Sequence, residues 1–375
     1  MKVAVVGGGA VGTTAAYDLA RRRAEVTLYE KDAIAGGSTG RAAGVLYDAF
    51  AAPEDAEVGD RALERFRAFS GEGDFEFRET PYVWFAREGD TKRAEAIREQ
   101  VPRMRDADRE VAFADPEDLR GRFPTVDWSD AAVAAVAENA GHADPAGYAD
   151  LLAGKARKAG ATIRSDVEAR IDAGELRVSA AASSATGGGS FDAILVAAGA
   201  HTERLLAAAG VPVPLKPYRV QALTAGLAAD RRAALPMLYD ATGGYYFRPH
   251  PAGLLAGDGT EEVESDPDDW DRSADREFRE IVRERLGRRL GEFGAIREAW
   301  AGLCVATPDR DPLLGELREG LYVAAGWQGH GFMRAPATAE AAAEAILDEN
   351  PLSEFDPGRF DGDEEFEISE GMTVE

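Results

Sequence analysis

The chain has 375 residues, 45% hydrophobic and 30% charged, which is globular material with apolar mass enough for one large domain or two interleaved ones. Sixty-eight Asp and Glu against 43 Lys and Arg leave a net charge of −25. A field of that sign repels phosphate backbones and anionic lipid surfaces, so neither nucleic acid nor a membrane surface is an expected partner.

The order of elements begins with an apolar, β-rich run at residues 2–6, followed by Gly7-Gly8-Gly9-Ala10-Val11-Gly12. Residues 13–23 suit a helix and residues 26–30 a second strand, which together make a parallel βαβ start. Residues 50–70 and 91–110 are predicted helical, and Tyr82-Val83-Trp84-Phe85 an aromatic strand. Turns are expected at 116–119 and 124–128, then a helix within 143–160 opened by Asp144-Pro145, then a strand at 161–164. The polar, glycine-rich stretch 180–190 reads as an exposed hairpin loop. Residues 191–200 and 321–326 are apolar strands that end in glycine, as strands returning to one parallel sheet do. Between them, 220–227 and 245–257 have β character and 275–289 helical character, and the acidic stretch 361–365 is expected to be peripheral.

Gly7, Gly9 and Gly12 form a GxGxxG turn between strand and helix. Each glycine has a separate reason: the tight turn, close approach of a pyrophosphate to the backbone, and helix–strand packing. The N–H groups of Ala10, Val11 and Gly12 lie where a helix start offers donors to an anion. Glu30, 18 residues after Gly12, ends the second strand where a carboxylate can accept from an adenosine ribose and would repel a 2′-phosphate. A dinucleotide is therefore expected, and this spacing alone leaves FAD and NAD both open.

The segment that follows, Ser38-Thr39-Gly40-Arg41-Ala42-Ala43-Gly44-Val45, resembles the flavin-contacting loop of the D-amino-acid oxidase, glycine oxidase and sarcosine oxidase superfamily. Later blocks extend the resemblance along nearly the whole chain. Residues 194–200, with Ala198 and Gly199, resemble the returning strand near the adenosine half of FAD. Trp300-Ala301-Gly302-Leu303 and Thr307-Pro308-Asp309 resemble a substrate-side segment, and Gly326-Trp327-Gln328-Gly329-His330-Gly331-Phe332-Met333 the C-terminal flavin motif. The resemblance implies FAD as cofactor, with Val167 among the adenosine-side positions and backbone donors of 326–333 at the pyrimidine edge of the flavin, where negative charge grows on reduction.

It also implies a fold: a discontinuous Rossmann-like FAD-binding domain (1–80, 141–215 and 300–375) and a second substrate domain with a mixed or antiparallel sheet (81–140 and 216–299). The implied reaction is oxidation of the C–N bond of a small amino acid or secondary amine, of glycine, sarcosine, proline or D-amino-acid type, by hydride transfer to flavin N5. Oxygen or an electron-acceptor protein or quinone would take the electrons. A 2-hydroxy-acid or polyol-derivative oxidoreductase and a flavin-bearing electron-transfer or assembly subunit are the competing readings.

Arg248, in Tyr245-Tyr246-Phe247-Arg248-Pro249, is the candidate anchor for a carboxylated amine, because a guanidinium can hold a carboxylate through two parallel hydrogen bonds. Strand alternation allows only one of Tyr245 and Tyr246 to line the pocket, and Tyr246 is taken with Arg248; Tyr218 is a weaker candidate. His330, inside the flavin motif, is the third candidate catalytic residue. Two positions depart from relatives. Cys304 stands where glycine-oxidase-like proteins carry a carboxylate-binding arginine, so either Arg248, Arg41 or Arg334 compensates or the substrate is not a simple α-amino acid. Met333 stands where monomeric sarcosine oxidases carry a lysine that promotes oxygen reduction, which favours a dehydrogenase.

Cys304 is the only cysteine, so the chain has no intrachain disulfide. His142, His201, His250 and His330 form no metal-ligand pattern, and no metal is expected. With no signal-type apolar region and no run of 18 apolar residues, a cytoplasmic protein is expected. Basic residues that are nearly all Arg, with acid in excess throughout, resemble the composition of haloarchaeal proteins.

Overall fold

The computed structural model describes residues 1–180, 188–258, 260–347 and 353–369. Two large sheets carry the architecture. The first has six strands in the order Leu313–Arg318, Leu321–Ala325, Ala193–Val196, Lys2–Val6, Glu25–Tyr29 and Thr162–Arg164. Its pairs are parallel except for the Leu313–Arg318 edge. The two returning strands expected from the sequence thus do join the N-terminal strand, with Val6 opposite Val196 and Val196 opposite Val323. Strands buried on both faces have no polar side to show, which is why they read as continuous apolar runs.

One face of this sheet is covered by the helices Ala10–Arg21, Pro145–Lys158 and Gly331–Ile346, and Pro53–Phe69 packs outside them. A buried ion-pair cluster ties three of these helices together. Asp18 and Glu340 both lie within salt-bridge distance of Arg65, at 2.8 and 3.4 Å, and Arg61 and Arg21 close the cluster from outside.

The second sheet has eight strands, in the order Ile296–Ala306, Lys216–Ala225, Gly253–Asp258, Tyr245–His250, Met237–Asp240, Tyr82–Arg87, Ala131–Ala137 and Val111–Phe113. All its pairs are antiparallel except Met237–Asp240 with Tyr82–Arg87. Its outer face packs on the helix Arg276–Leu290 and on Trp128 through Tyr245, Phe247, Phe85 and Leu223. The fold is therefore the expected combination of a Rossmann-like sheet and a separate mixed sheet.

One local reading changes. Residues 116–119 are not a turn but the start of the helix Pro116–Arg122, with Pro116 at its first position and Glu117 and Asp118 favouring its N-terminus. The expected boundary at residue 300 falls inside the strand Ile296–Ala306, which pairs with Lys216–Ala225 along its length. Of the loop expected at 180–190, residues 181–187 lie outside the described residues, and the strands Arg177–Ala180 and Gly189–Ser190 flank them as an antiparallel pair. Among the described residues no helix is long and apolar enough to cross a membrane.

Candidate active site

Two glycine turns and one loop converge at the C-terminal edge of the parallel sheet, where ligands of such folds bind. At the first turn Gly7 has φ +118°, and a Cβ there would lie 2.2 Å from the Ala197 carbonyl oxygen. A Cβ on Gly12 would lie 2.0 Å from the Gly7 carbonyl oxygen. Both are packing glycines. Gly9 differs, since a Cβ there would meet only the Thr39 side chain, at 2.9 Å. Gly9 also caps the helix Ala10–Arg21 without a side-chain hydrogen bond, and the first turn carries no acid. The Ala10 N–H donates to Thr39 Oγ1 at 3.0 Å, while Val11 and Gly12 occupy the first turn, whose N–H groups have no carbonyl of the helix four residues back.

Glu30 is fixed beside this turn by the Gly8 and Asp32 N–H groups, at 2.6 and 2.8 Å, and the Val167 N–H donates to its backbone oxygen at 2.9 Å. Ala198 lies against Gly7, and Gly199 turns away at φ +56°. A bare helix start, a fixed acceptor pair and a floor with no side chain match an adenosine pyrophosphate.

The second turn has Gly326, Gln328 and Gly329 at φ +85°, +47° and +88°. His330 caps the helix Gly331–Ile346, again without a side-chain hydrogen bond and with no acid in the first turn. Phe332 and Met333 send their side chains into the core and leave this helix start to backbone donors. Gly326 packs tightly, since a Cβ there would lie 2.5 Å from Thr307 Cγ2. Gly329 opens toward Tyr218 Oη and Cys304 Sγ, 3.8 and 4.0 Å from where its Cβ would stand.

The loop between the turns is tied to both sheets. Ser38 Oγ donates to the Leu303 carbonyl at 2.6 Å, Trp300 Nε1 donates to the Arg41 carbonyl at 2.9 Å, and Arg248 Nε donates to the Ala43 carbonyl. A Cβ on Gly302 would lie 3.3 Å from Arg41, and Gly44, at φ +67°, presses on the Ala143 carbonyl. Ala42 and Val45 pack against the main core from this loop. These residues fit FAD, with an anion cradle at one end and neutral-to-positive backbone donors at the other.

The face of the larger sheet that looks at this loop has a small-residue floor. Residues directly opposite in neighbouring strands share a face, which places Trp300, Ala222, Gly257, Tyr246, Tyr239 and Trp84 in one row. The Tyr246 ring lies over Gly257, where a Cβ would be 2.1 Å from its hydroxyl. Tyr245 points to the opposite face, into the outer core. Arg248 shares the Tyr246 face and is 4% exposed. Its hydrogen bonds go to the Ala43 and Pro249 carbonyls and, at 3.4 Å, to His142 Nδ1. Among the described residues no carboxylate lies within ion-pair distance of it. Burial pulls the Arg248 guanidinium down to about 10. Asp144 favours the charged form only from beyond ion-pair distance; a buried cation with no direct ion-pair partner is costly, and an incoming carboxylate relieves that cost.

Of the other candidate anchors, one is neutralised by an ion pair and the other is less buried than Arg248. Arg334 pairs with Asp55 at 2.7 Å and lies over the Phe50 ring, and Arg41 donates to the Gly36 and Gly37 carbonyls. Nor does Arg248 stand at the Cys304 position. Arg248 is opposite Leu255, Leu255 is opposite Thr224, and Tyr218, which pairs with Cys304, lies six residues further along. At ~3.4 Å per residue that is about 20 Å.

His330 is enclosed by Tyr47 and Phe50, with ring centroids at 6.5 and 5.8 Å, and its Nε2 is 3.4 Å from Tyr47 Oη. Burial, with Arg334 adding repulsion, pushes it down to about 3. His142 falls to about 3 by burial and then Arg248, and His250 to about 4 for the same reasons. All three are neutral through the physiological range, which suits His330 to packing and hydrogen bonding rather than to donating a proton. His201 is elsewhere, at the surface with Asp268 and Lys31, and Asp309 is paired with Arg359.

The depressed values set a sign for stability. The fold favours neutral imidazole, so this contribution is complete above the unfolded value of 6.5 and is lost as pH falls toward 3. His142 and His330 should each cost about 1.4 kcal/mol per pH unit across that window. In ~1 M salt, to screen carboxylate repulsion, the thermal midpoint is expected to fall steadily from about pH 6.5 to about pH 4.5. A midpoint flat over that range contradicts neutral burial.

Several site residues were not visible as such in the sequence: Ala222, Gly257, Tyr239, Trp84 and His142. Tyr47 was missed as well, although it stacks on Tyr82 at 4.4 Å and 3°. Only the register of distant strands brings them together. Alternation within 245–250 could have named the face, but not its neighbours.

Comparison with known proteins agrees with this geometry. The FAD dependent oxidoreductase (DAO) family model matches residues 2–345. A tRNA 5-methylaminomethyl-2-thiouridine biosynthesis bifunctional protein MnmC from Maricaulis maris is 30% identical, over 96% of this chain and 55% of its own length. The chain thus spans about half of that relative. A glycine oxidase from Bacillus licheniformis is 26% identical over 93% of both chains. Among solved structures, L-proline dehydrogenase from P. horikoshii superposes with a TM-score of 0.86 at 28% identity, covering 96% of this chain and 97% of that one. A βαβ dinucleotide turn, a loop joining two sheets and a second glycine turn at a helix start are the parts such a flavoprotein needs, and the chain belongs to the FAD-dependent oxidoreductase family of the DAO superfamily.

Proposed function

We propose that the protein oxidises the C–N bond of a small carboxylated amine, an amino acid or secondary amine of the glycine, sarcosine or proline type. The observation that carries this reading is the buried Arg248, which makes no direct ion pair among the described residues, on the same sheet face as Tyr246 and beside the Ala43 carbonyl of the FAD loop. Similar proteins are named for glycine and proline oxidation. Arg248 holds the substrate carboxylate, Tyr246 and Trp300 flank the amine-bearing carbon, and the Ala222–Gly257–Gly302 floor leaves room for the ring system. When bound, FAD supplies a two-electron acceptor for the hydrogen leaving that carbon. The protein orients the substrate and excludes water, which strengthens the Arg248 contact. His330 stays neutral and supports the turn. In this reading segments 1–80 and 141–215, with the chain after the strand Ile296–Ala306, hold FAD, and 81–140 with 216–306 holds substrate. An anaerobic panel of amino acids and N-methyl or cyclic derivatives tests it. One of them should bleach the bound flavin within seconds, and a panel that leaves its absorbance intact removes the proposal.

The electron acceptor is read as something other than oxygen, a carrier protein or a quinone. Reducing oxygen builds anionic charge near the flavin, and side-chain cations stabilise it. Here Met333 is neutral and Arg334 is neutralised by Asp55. Turnover with an artificial acceptor is expected to exceed turnover with air by about tenfold or more. Comparable rates with both contradict this.

The net charge of −25 supports function in concentrated salt. Repulsion over such a surface fades as the Debye length drops to about 3 Å near 1 M. The thermal midpoint is expected to rise by about 10 °C between roughly 0.1 M and 2 M KCl. An unchanged or falling midpoint speaks against salt adaptation.

A further inference from the structure

After its last long helix the chain carries an acidic segment, and residues 366–369 of it lie against the second glycine turn. Glu365 and Glu367 are exposed, whereas Phe366 is half-buried and Ile368 is buried. The alternation turns the two apolar side chains inward. They join Tyr218, Val220, Cys304 and Ala306 in a small cluster of uncharged side chains. Lys216 Nζ donates to the Phe366 carbonyl at 2.8 Å and sits 4.6 Å from its ring centroid.

The link to the turn is Gln328. This residue is 3% exposed and has φ +47°, a strained value for a side chain other than glycine. Its Nε2 donates to the Ser369 carbonyl, its Oε1 accepts from the Thr307 N–H at 3.3 Å, and its own N–H donates to the Val305 carbonyl at 3.0 Å. The side chain that holds the turn in an unfavourable conformation is thus itself held by the C-terminal segment. Beside it, Gly329 opens onto the Tyr218–Cys304 pair that Ile368 covers.

We propose that Phe366–Ser369 is part of the FAD site: it backs the Gly326–Gly331 turn through Gln328 and seals the Tyr218–Cys304 end from water. Gln328 is a positioning residue and Ile368 the seal. The inference rests on FAD lying between the two glycine turns. Linkage makes it reciprocal, because a segment that tightens FAD must itself be tightened by FAD.

The test uses the full-length chain with FAD, read by quenching of flavin fluorescence and by limited proteolysis of the C-terminus. Ile368→Ala and Gln328→Leu are each expected to weaken FAD binding by about tenfold with the circular dichroism spectrum retained. In the parent chain FAD is expected to slow proteolytic loss of the C-terminus by a similar factor. Should Gln328→Leu fail to fold, Ile368→Ala and the protection measurement decide alone. Unchanged affinity in the variants, together with proteolysis indifferent to FAD, overturns the proposal. A parent chain that binds no FAD overturns it too, and is told apart because the failure then appears before any substitution.

Discussion

Replacing Arg248 by alanine is expected to raise the KM for a carboxylated amine by roughly 30-fold or more while FAD remains bound. Truncating one partner of a buried charge pair costs about 2–5 kcal/mol, and each 1.4 kcal/mol is about tenfold in affinity. Arg248 is 4% exposed and bonds only to uncharged acceptors, with Asp144 acting on it from beyond ion-pair distance, so the substrate carboxylate would be its one direct ion-pair partner among the described residues. Arg248→Lys should recover part of the loss, since an ammonium supplies charge without the two-point fork. The loss should vanish for an amine without a carboxylate. Equal losses for both substrate types would mean that Arg248 acts through the Ala43 carbonyl, as a brace for the FAD loop.

The second large effect is expected at Gly12. A Cβ there would lie 2.0 Å from the Gly7 carbonyl oxygen, and neither atom can rotate aside because the backbone fixes both positions. Gly12→Ala must push the helix Ala10–Arg21 off the turn, at an overpacking cost of roughly 3 kcal/mol. That should weaken FAD by at least about 100-fold. Gly9→Ala makes a graded control, since its new methyl meets only the Thr39 side chain, at 2.9 Å. It should cost less stability and still lower FAD affinity, because the methyl occupies the floor facing the pyrophosphate. Full FAD affinity in both variants, measured by equilibrium titration, is incompatible with the pyrophosphate lying there.

Much of the cofactor half was legible in the sequence because its signals are local. The Gly7–Gly12 turn, Glu30 and the strands near Val196 and Val323 each announce themselves within a dozen residues, and the parallel sheet joins them as expected. The substrate half was not, for a physical reason. Its floor is a row of residues from six different strands, and Ala222 or Gly257 carries no local signal in the sequence. Tyr246 and Tyr245 were separable by alternation, and the structure places them on opposite faces of the sheet. Compensation for Cys304 was left among three arginines. The ion pair of Arg334 with Asp55 removes one of them, and the register places Arg248 about six residues along the sheet from the Tyr218–Cys304 pair. The helix Pro116–Arg122 was read as a turn because Pro116 marks a helix start as readily as a turn.

The most direct test of the central claim is a crystal structure of the protein with FAD. The account predicts one FAD spanning the edge of the parallel sheet, its pyrophosphate on the N–H groups of Val11 and Gly12 and its pyrimidine edge on those of Gly331–Met333. A flavin bound elsewhere, or one touching only one of the two helix starts, contradicts it.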